Sequence, residues 1–156
     1  MAKVIVTREV NAPLNAIWDS WDDFGNIVRF NPNLKGSFLI NDSKATGLGA
    51  TRQCDLADGK NYIQERIVEY VPMQKLTVDI YNGTMPLKKA EATFRFTPTT
   101  DKKTKVTMTM DFQPKFGLFG KMMIPMMKPQ FRKMLNALLA GNAEYLERGK
   151  EAKAVA

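Results

Sequence analysis

Two side chains, Arg52 and Glu65, combine charge with positions that should point inward. The stretch ATRQCDL-ADGK-NYIQERIVEYV reads as a hairpin turning at Asp58-Gly59. A two-residue turn there pairs Ala57 with Lys60. Counting back sets Cys54 opposite Ile63, Arg52 opposite Glu65 and Ala50 opposite Ile67. Alternate rungs make Arg52/Glu65 a non-hydrogen-bonded pair, where side chains approach most closely. This register puts Ala50, Cys54 and Leu56 on the face of Ile63 and Ile67. A one-residue slip would put Thr51, Gln53 and Asp55 there instead. The expectation is an Arg and a Glu projecting together into an apolar interior. Two chemistries are open to them. One is an anchor for a ligand oxygen, or a general acid/base site in which Glu65 moves the proton while Arg52 or a tyrosine (Tyr62 or Tyr81) polarises a carbonyl. The other is a buried ion pair that satisfies only itself.

Other chemistries are closed by composition. The chain has no histidine and one cysteine, Cys54. A Ser-His-Asp or Cys-His group is excluded, a zinc site of nitrogen and sulfur ligands nearly so, and an internal disulfide cannot form. No cofactor or metal is expected. The net charge of +7 suits anionic partners. Nucleic acid is not expected among them, because no helix-turn-helix, zinc-finger or RRM pattern is present. SKATGLG lacks the spacing of a phosphate-binding loop and reads as a turn.

Methionine supplies the second candidate feature. There are ten, and the unbranched thioether adapts to irregular space and varied partners. Met108 and Met110 on a strand, with Met122, Met126 and Met127 on a helix, are expected to line a pocket for a flexible apolar ligand. Cys54, Ile63, Ile67, Phe94 and Phe131 should complete its wall. Plain core filling is the alternative. The third feature is a basic run of Lys115, Lys121, Lys128, Arg132 and Lys133, with no acid between Asp111 and Glu144. It reads either as a solvated face or as a site of transient contact with an anionic membrane surface, through Lys121, Lys128, Arg132 and Lys133.

The elements that position these residues follow from periodicity. Residues 3–10 form a strand. NAPLNAIWDSWDDF starts a helix with Asn11 as its N-cap and Pro13 in the first turn; Gly25 ends it, and a second short helix covers Ile27 to Phe30. The period then switches to two. Ala90, Ala92, Phe94 and Phe96, then Val106, Met108, Met110 and Phe112, give one apolar sheet face opposite a solvated one. A long helix from about Met122 to Arg148 carries Phe131, Met134, Leu135, Leu138, Leu139, Tyr145 and Leu146 at helical spacing. The expected architecture is α+β and a single domain over residues 1–156: a strongly curved antiparallel sheet around the long C-terminal helix, with a frayed tail from about residue 150. Pro125 and Pro129 should loosen the helix start, making 122–128 a gate with Lys121 and Lys128 at its rim. No stretch has the layout of a signal peptide or membrane span, so a cytoplasmic protein is expected.

Several of these stretches, NAPLNAIWDSWDDFGNIVRFNPN, GLGATRQCDLADG, QERIVEY and FQPKFGLFG leading into the last helix, together resemble the SRPBCC (START/birch-pollen-allergen-like) superfamily, in its polyketide cyclase/dehydrase and lipid-transport branch. The resemblance covers nearly the whole chain. It implies a helix-grip fold: a seven-stranded sheet gripping the helix, two short helices after strand one, and a cavity whose mouth lies near the 57–60 turn and the 82–88 loop. Members bind lipids, sterols, polyketides or hormones, and only some are enzymes. Phe30 stands where many relatives have tryptophan. A carrier of a small apolar or lipid-like molecule is the reading that needs only volume and an opening. The resemblance also implies an alternative, a polyketide cyclase/dehydratase-like enzyme using Glu65 and Arg52, and an interaction module without ligand is the remaining class.

Overall fold

The computed structural model describes residues 1–154. Strand β1 (Ala2–Val10) leads into α1 (Leu14–Asp22) and a 3-10 segment (Phe24–Arg29). Six strands follow: β2 (Leu34–Leu39), β3 (Thr51–Leu56), β4 (Tyr62–Val71), β5 (Lys75–Gly83), β6 (Leu87–Thr100) and β7 (Lys103–Pro114). The chain then enters α2 (Gly117–Arg148). All seven strands form one antiparallel sheet in the order β1-β7-β6-β5-β4-β3-β2. This is the helix-grip arrangement expected from the sequence. No helix is long and apolar enough to cross a membrane among the described residues.

Inward-facing residues of β6 and β7 pair across the ladder, small against large except where Phe94 meets Met108. Ala90 pairs with Phe112, Ala92 with Met110, Phe94 with Met108, and Phe96 with Val106. Extra residues at Lys35, Val68, Tyr81 and Lys88 break the ladder. Such bulges bend a strand and tighten its twist, which curls the sheet around α2. The buried stripe of α2 runs through Phe131, Leu135, Leu138 and Leu139. It approaches the 3-10 segment so closely that a Cβ on Gly141 would lie 2.0 Å from the Phe30 carbonyl oxygen. One polar residue interrupts the stripe. Asn142 is fully buried and its amide donates to Ser20 Oγ (3.0 Å), pinning α2 to α1.

Local boundaries differ from expectation. Pro13, not Asn11, is the N-cap of α1, and it offers no side-chain cap. The Asn11 N–H instead donates to Glu147 Oε2 at 3.0 Å, tying the end of β1 to the last turn of α2. Gly25 does not end α1, which stops at Asp22; it lies inside the 3-10 segment. α2 starts at Gly117, five residues earlier than expected, because Gly117 and Phe116 take left-handed backbone and turn the chain into the helix. Beyond Arg148 the chain leaves the helix but is tied at one point, where the Ala152 N–H donates to the Arg29 carbonyl (2.8 Å). The rest of the expected frayed tail, Val155 and Ala156, lies outside the described residues.

Candidate functional site

A cavity of about 100 Å³ lies between the concave sheet and α2. Its walls come from β3 (Arg52, Cys54), β4 (Ile63, Glu65), β6 (Ala92, Phe94) and β7 (Met108, Met110). α2 contributes Phe131, Met134, Leu135 and Leu138, and the segment after α1 contributes Ile27, Asn31, Asn33 and Leu34. The lining is almost wholly apolar, and one charged cluster interrupts it.

That cluster is Arg52, Glu65 and Cys54, all buried. The predicted register holds, with Arg52 opposite Glu65 and Cys54 opposite Ile63. Arg52 Nε donates to Glu65 Oε1 at 2.8 Å, and the Cys54 thiol donates to the same oxygen at 3.3 Å. Arg52 Nη1 donates to the Phe24 carbonyl (2.9 Å), and its guanidinium stacks 3.8 Å from the Phe24 ring centroid. The arginine therefore clamps the 3-10 segment onto the sheet as well as neutralising Glu65. Burial first, and the Glu65 carboxylate second, push the Cys54 thiol well above its usual pKa. It stays protonated, a donor rather than a nucleophile. Among the described residues both hydrogen bonds to Glu65 fall on Oε1.

One detail of the hairpin differs. Leu56 N–H donates to the Asn61 carbonyl and Ile67 N–H to the Ala50 carbonyl. Hydrogen-bonded rungs recur every second pair, so Arg52/Glu65 lies on a hydrogen-bonded rung and not on the closer kind. The turn is the cause. It is a four-residue loop, Ala57 to Lys60, in which Asp58 Oδ1 accepts from the Lys60 and Asn61 N–H groups. These bonds hold the exposed Asp58 carboxyl below its ordinary pKa.

Of the residues expected to line a pocket, Arg52, Cys54, Ile63, Glu65, Phe94, Met108, Met110 and Phe131 come together around this cavity. Four do not. Ile67 is buried one step further along β4, inside the packed core. Met127 packs on the core's edge, away from the cavity. Met122 and Met126 face outward, because the buried face of this half of α2 is taken by Gly120, Ile124 and Met127. Helix 122–128 therefore contributes no wall. Tyr62 is absent from the lining, and Tyr81, the extra residue in a bulge, stacks under Arg66 on the outside (4.4 Å). Neither tyrosine reaches the pair.

Met85, Leu87 and Ile80 line the cavity without having been singled out in the sequence. Met85 sits in a loop, where no periodicity marks it. Ile63, Ile80, Met85 and Leu87 also line an outer depression together with Lys88, Lys89 and Lys115. These four apolar residues are thus the partition between cavity and outside. Lys121 and Lys128 line a different depression, with Met1, Phe112 and Ile124. They do not rim the cavity.

No curated protein matches the chain in sequence. Solved structures match it as a fold. A START superfamily protein from Mycobacterium smegmatis superimposes with a TM-score of 0.79 at 19% identity, over 95% of this chain and 99% of that one. A protein from Thermobifida fusca gives 0.69 at 25% identity, over 94% and 96%. Norcoclaurine synthase from Thalictrum flavum, a point mutant in complex with a transition-state analogue, gives 0.72 at 14% identity, over 95% of each chain. The family model described as polyketide cyclase / dehydrase and lipid transport matches residues 1–147, nearly the whole of the fold and all of the cavity wall, and the chain belongs to that family.

Proposed function

We propose that this protein binds and carries a small apolar molecule bearing one polar group, held between the sheet and α2. The observation that carries this reading is an apolar cavity with a single buried charged cluster in its wall. The apolar walls supply the driving force, and Glu65 Oε2, free of the two bonds that hold Oε1, is placed to accept a hydrogen bond from a ligand hydroxyl or amine. A carboxylate head is disfavoured by the charge of Glu65. Sites for drug-sized ligands measure ~300–1,000 Å³, so a ligand larger than a single ring requires the methionines in the wall to repack, which their flexible side chains permit.

Native mass spectrometry of the freshly purified protein should reveal a bound small molecule, and an apolar dye should bind saturably and be displaced by hydroxylated apolar compounds. Linear, non-competable dye uptake would overturn the reading. Ala92→Leu, which projects into the cavity, should weaken dye binding about tenfold, since the lost volume excludes contact worth ~1.4 kcal/mol.

A second reading is a cyclase- or dehydratase-like enzyme with Glu65 as acid/base. The family description and the carboxylate in the cavity favour it. The missing tyrosine and the ion pair with Arg52 weaken it, because Glu65 Oε1 is already taken by the Arg52 and Cys54 hydrogen bonds. Turnover of a polyketide-like substrate that disappears in Glu65→Gln, while the variant still binds the substrate, would establish this second reading over the carrier.

A further inference from the structure

The first turns of α2 carry the largest departure from ordinary surface chemistry. Within eleven residues five large apolar side chains stand in solvent: Phe116 (69% exposed), Leu118 (79%), Phe119 (64%), Met122 (78%) and Met126 (60%). Isolated exposed apolar residues are unremarkable, but a contiguous cluster marks an interaction site. Leu118, Met122 and Met126 are spaced four apart and so share one face of the helix, over ~12 Å of its length. The opposite face is the one that packs on the sheet. Pro125 and Pro129 are exposed as well and add no polar group.

The backbone is built to present this cluster. Phe116 holds a left-handed conformation (φ 73°), rare and costly for an aromatic residue. Gly120 makes the tight turn possible, since a Cβ there would sit 1.9 Å from the Lys115 carbonyl oxygen. Lys115 N–H in turn donates to the Pro86 carbonyl (3.0 Å), fixing the helix entrance against the β5–β6 loop that carries the Met85–Leu87 partition.

Charge identifies the occupant. Lys88, Lys89 and Lys115 outnumber one acid, Asp79, around the depression at this end of the sheet, and Lys121 and Lys128 stand on the helix at the edge of its packed face. No acidic residue interrupts the sequence between Asp111 and Glu144. We infer that the start of α2 is a docking surface for an anionic phospholipid membrane: Phe116, Leu118, Phe119, Met122 and Met126 enter the headgroup–acyl boundary while the lysines pair with lipid phosphates. An apolar helix face rimmed by cations is the signature of such interfacial binding. Docking in this pose brings the cavity partition to the membrane surface. The inference does not depend on ligand carriage.

Cosedimentation with vesicles tests it. The protein should bind phosphatidylcholine vesicles containing phosphatidylglycerol and leave them as salt rises, and bind pure phosphatidylcholine at least tenfold less, given roughly fivefold per lysine near an anionic surface. The triple variant Leu118→Ser/Phe119→Ser/Met122→Ser should lose about tenfold or more in affinity with an unchanged circular-dichroism spectrum, because all three side chains are already in water. Lys115→Glu/Lys121→Glu should lose a similar amount, and Ile5→Ser/Phe38→Ser, elsewhere on the surface, none. Three results would each overturn the proposal: no preference of the wild type for anionic vesicles, a triple variant that binds as wild type does, or a concentration-dependent dimer that the triple variant abolishes in a protein without vesicle binding. The last would assign the patch to a second copy of the chain.

Discussion

The space between α2 and the sheet is filled in two different ways. Toward α1 it is packed with rings. Trp18 meets Phe96 and Tyr70 edge to face, with centroids 5.5 Å apart in each case, and Trp21 sits against Phe94 (4.5 Å) and Phe30 (4.9 Å). Toward the β5–β6 loop the same interface is lined by Met85, Met108, Met110 and Met134, and the cavity lies there. Aromatic rings have few rotamers and lock together in defined offset geometries. Methionine has three soft torsions and tolerates a gap beside it. One sheet thus carries a fixed end and an adaptable end, and the Arg52–Glu65 cluster is bonded to both, to the fixed end through the Phe24 carbonyl and to the cavity through its wall. The lesson is that the volume available to a ligand is set by side-chain type along strands of one and the same sheet.

The sharpest way to break this comparison is truncation at each end. Phe96→Ala should cost about 3–5 kcal/mol in chemical denaturation, as buried aromatic truncations do. Met110→Ala at the other end should cost less, about 2 kcal/mol, because the neighbouring methionines relax into the gap. Equal losses would mean that both ends are packed alike.

Next in size is the cluster between them. Glu65→Gln should destabilise the fold by about 3 kcal/mol, since it leaves Arg52 buried beside a neutral partner that still offers an acceptor. The double variant Arg52→Met/Glu65→Leu should recover much of that loss. A single variant of full stability that has lost dye binding would show that the pair serves the ligand and not the fold.

A smaller effect comes from Cys54. Burial and Glu65 raise its pKa, so the folded chain holds the thiol proton more tightly than the unfolded chain does. Its contribution is complete below the ordinary thiol pKa of about 8.5 and declines as pH rises above that value toward the folded pKa. Urea midpoints of the wild type should therefore fall more steeply than those of Cys54→Ala above about pH 8.5, by up to about 1.4 kcal/mol per pH unit. Parallel curves would place the thiol in a more open setting.

The smallest effect is in local opening. Amides of 122–128 should exchange faster than those of 134–146, because Pro125 and Pro129 withdraw two donors and the outer face has no partner. An apolar ligand should slow exchange at 83–87 and 131–138, which bound the cavity, and leave 122–128 unchanged. Protection at 122–128 instead would restore that half of the helix as the gate.

The sequence by itself determined the architecture and the charged pair. Period-two alternation in residues 90–96 and 106–112 defines one buried face, and a one-residue slip of the 50–67 hairpin would bury Thr51, Gln53 and Asp55, so polarity alone fixes the register. Which methionines reach the cavity was left to the tertiary structure. Met122 and Met126 carry the same apolar signal as Met108 and Met110, yet the helix must turn one face to the sheet, and Gly120, Ile124 and Met127 occupy it. Met85 and Leu87 were illegible for the opposite reason: a loop has no period, and its position depends on the Lys115–Pro86 bond. Asn142 is buried in an apolar stripe because Ser20, 122 residues earlier in the chain, supplies its acceptor. Periodicity reports which face of an element is apolar; which apolar faces find a partner, and which are left to water or to a membrane, is decided by contacts between residues far apart in sequence.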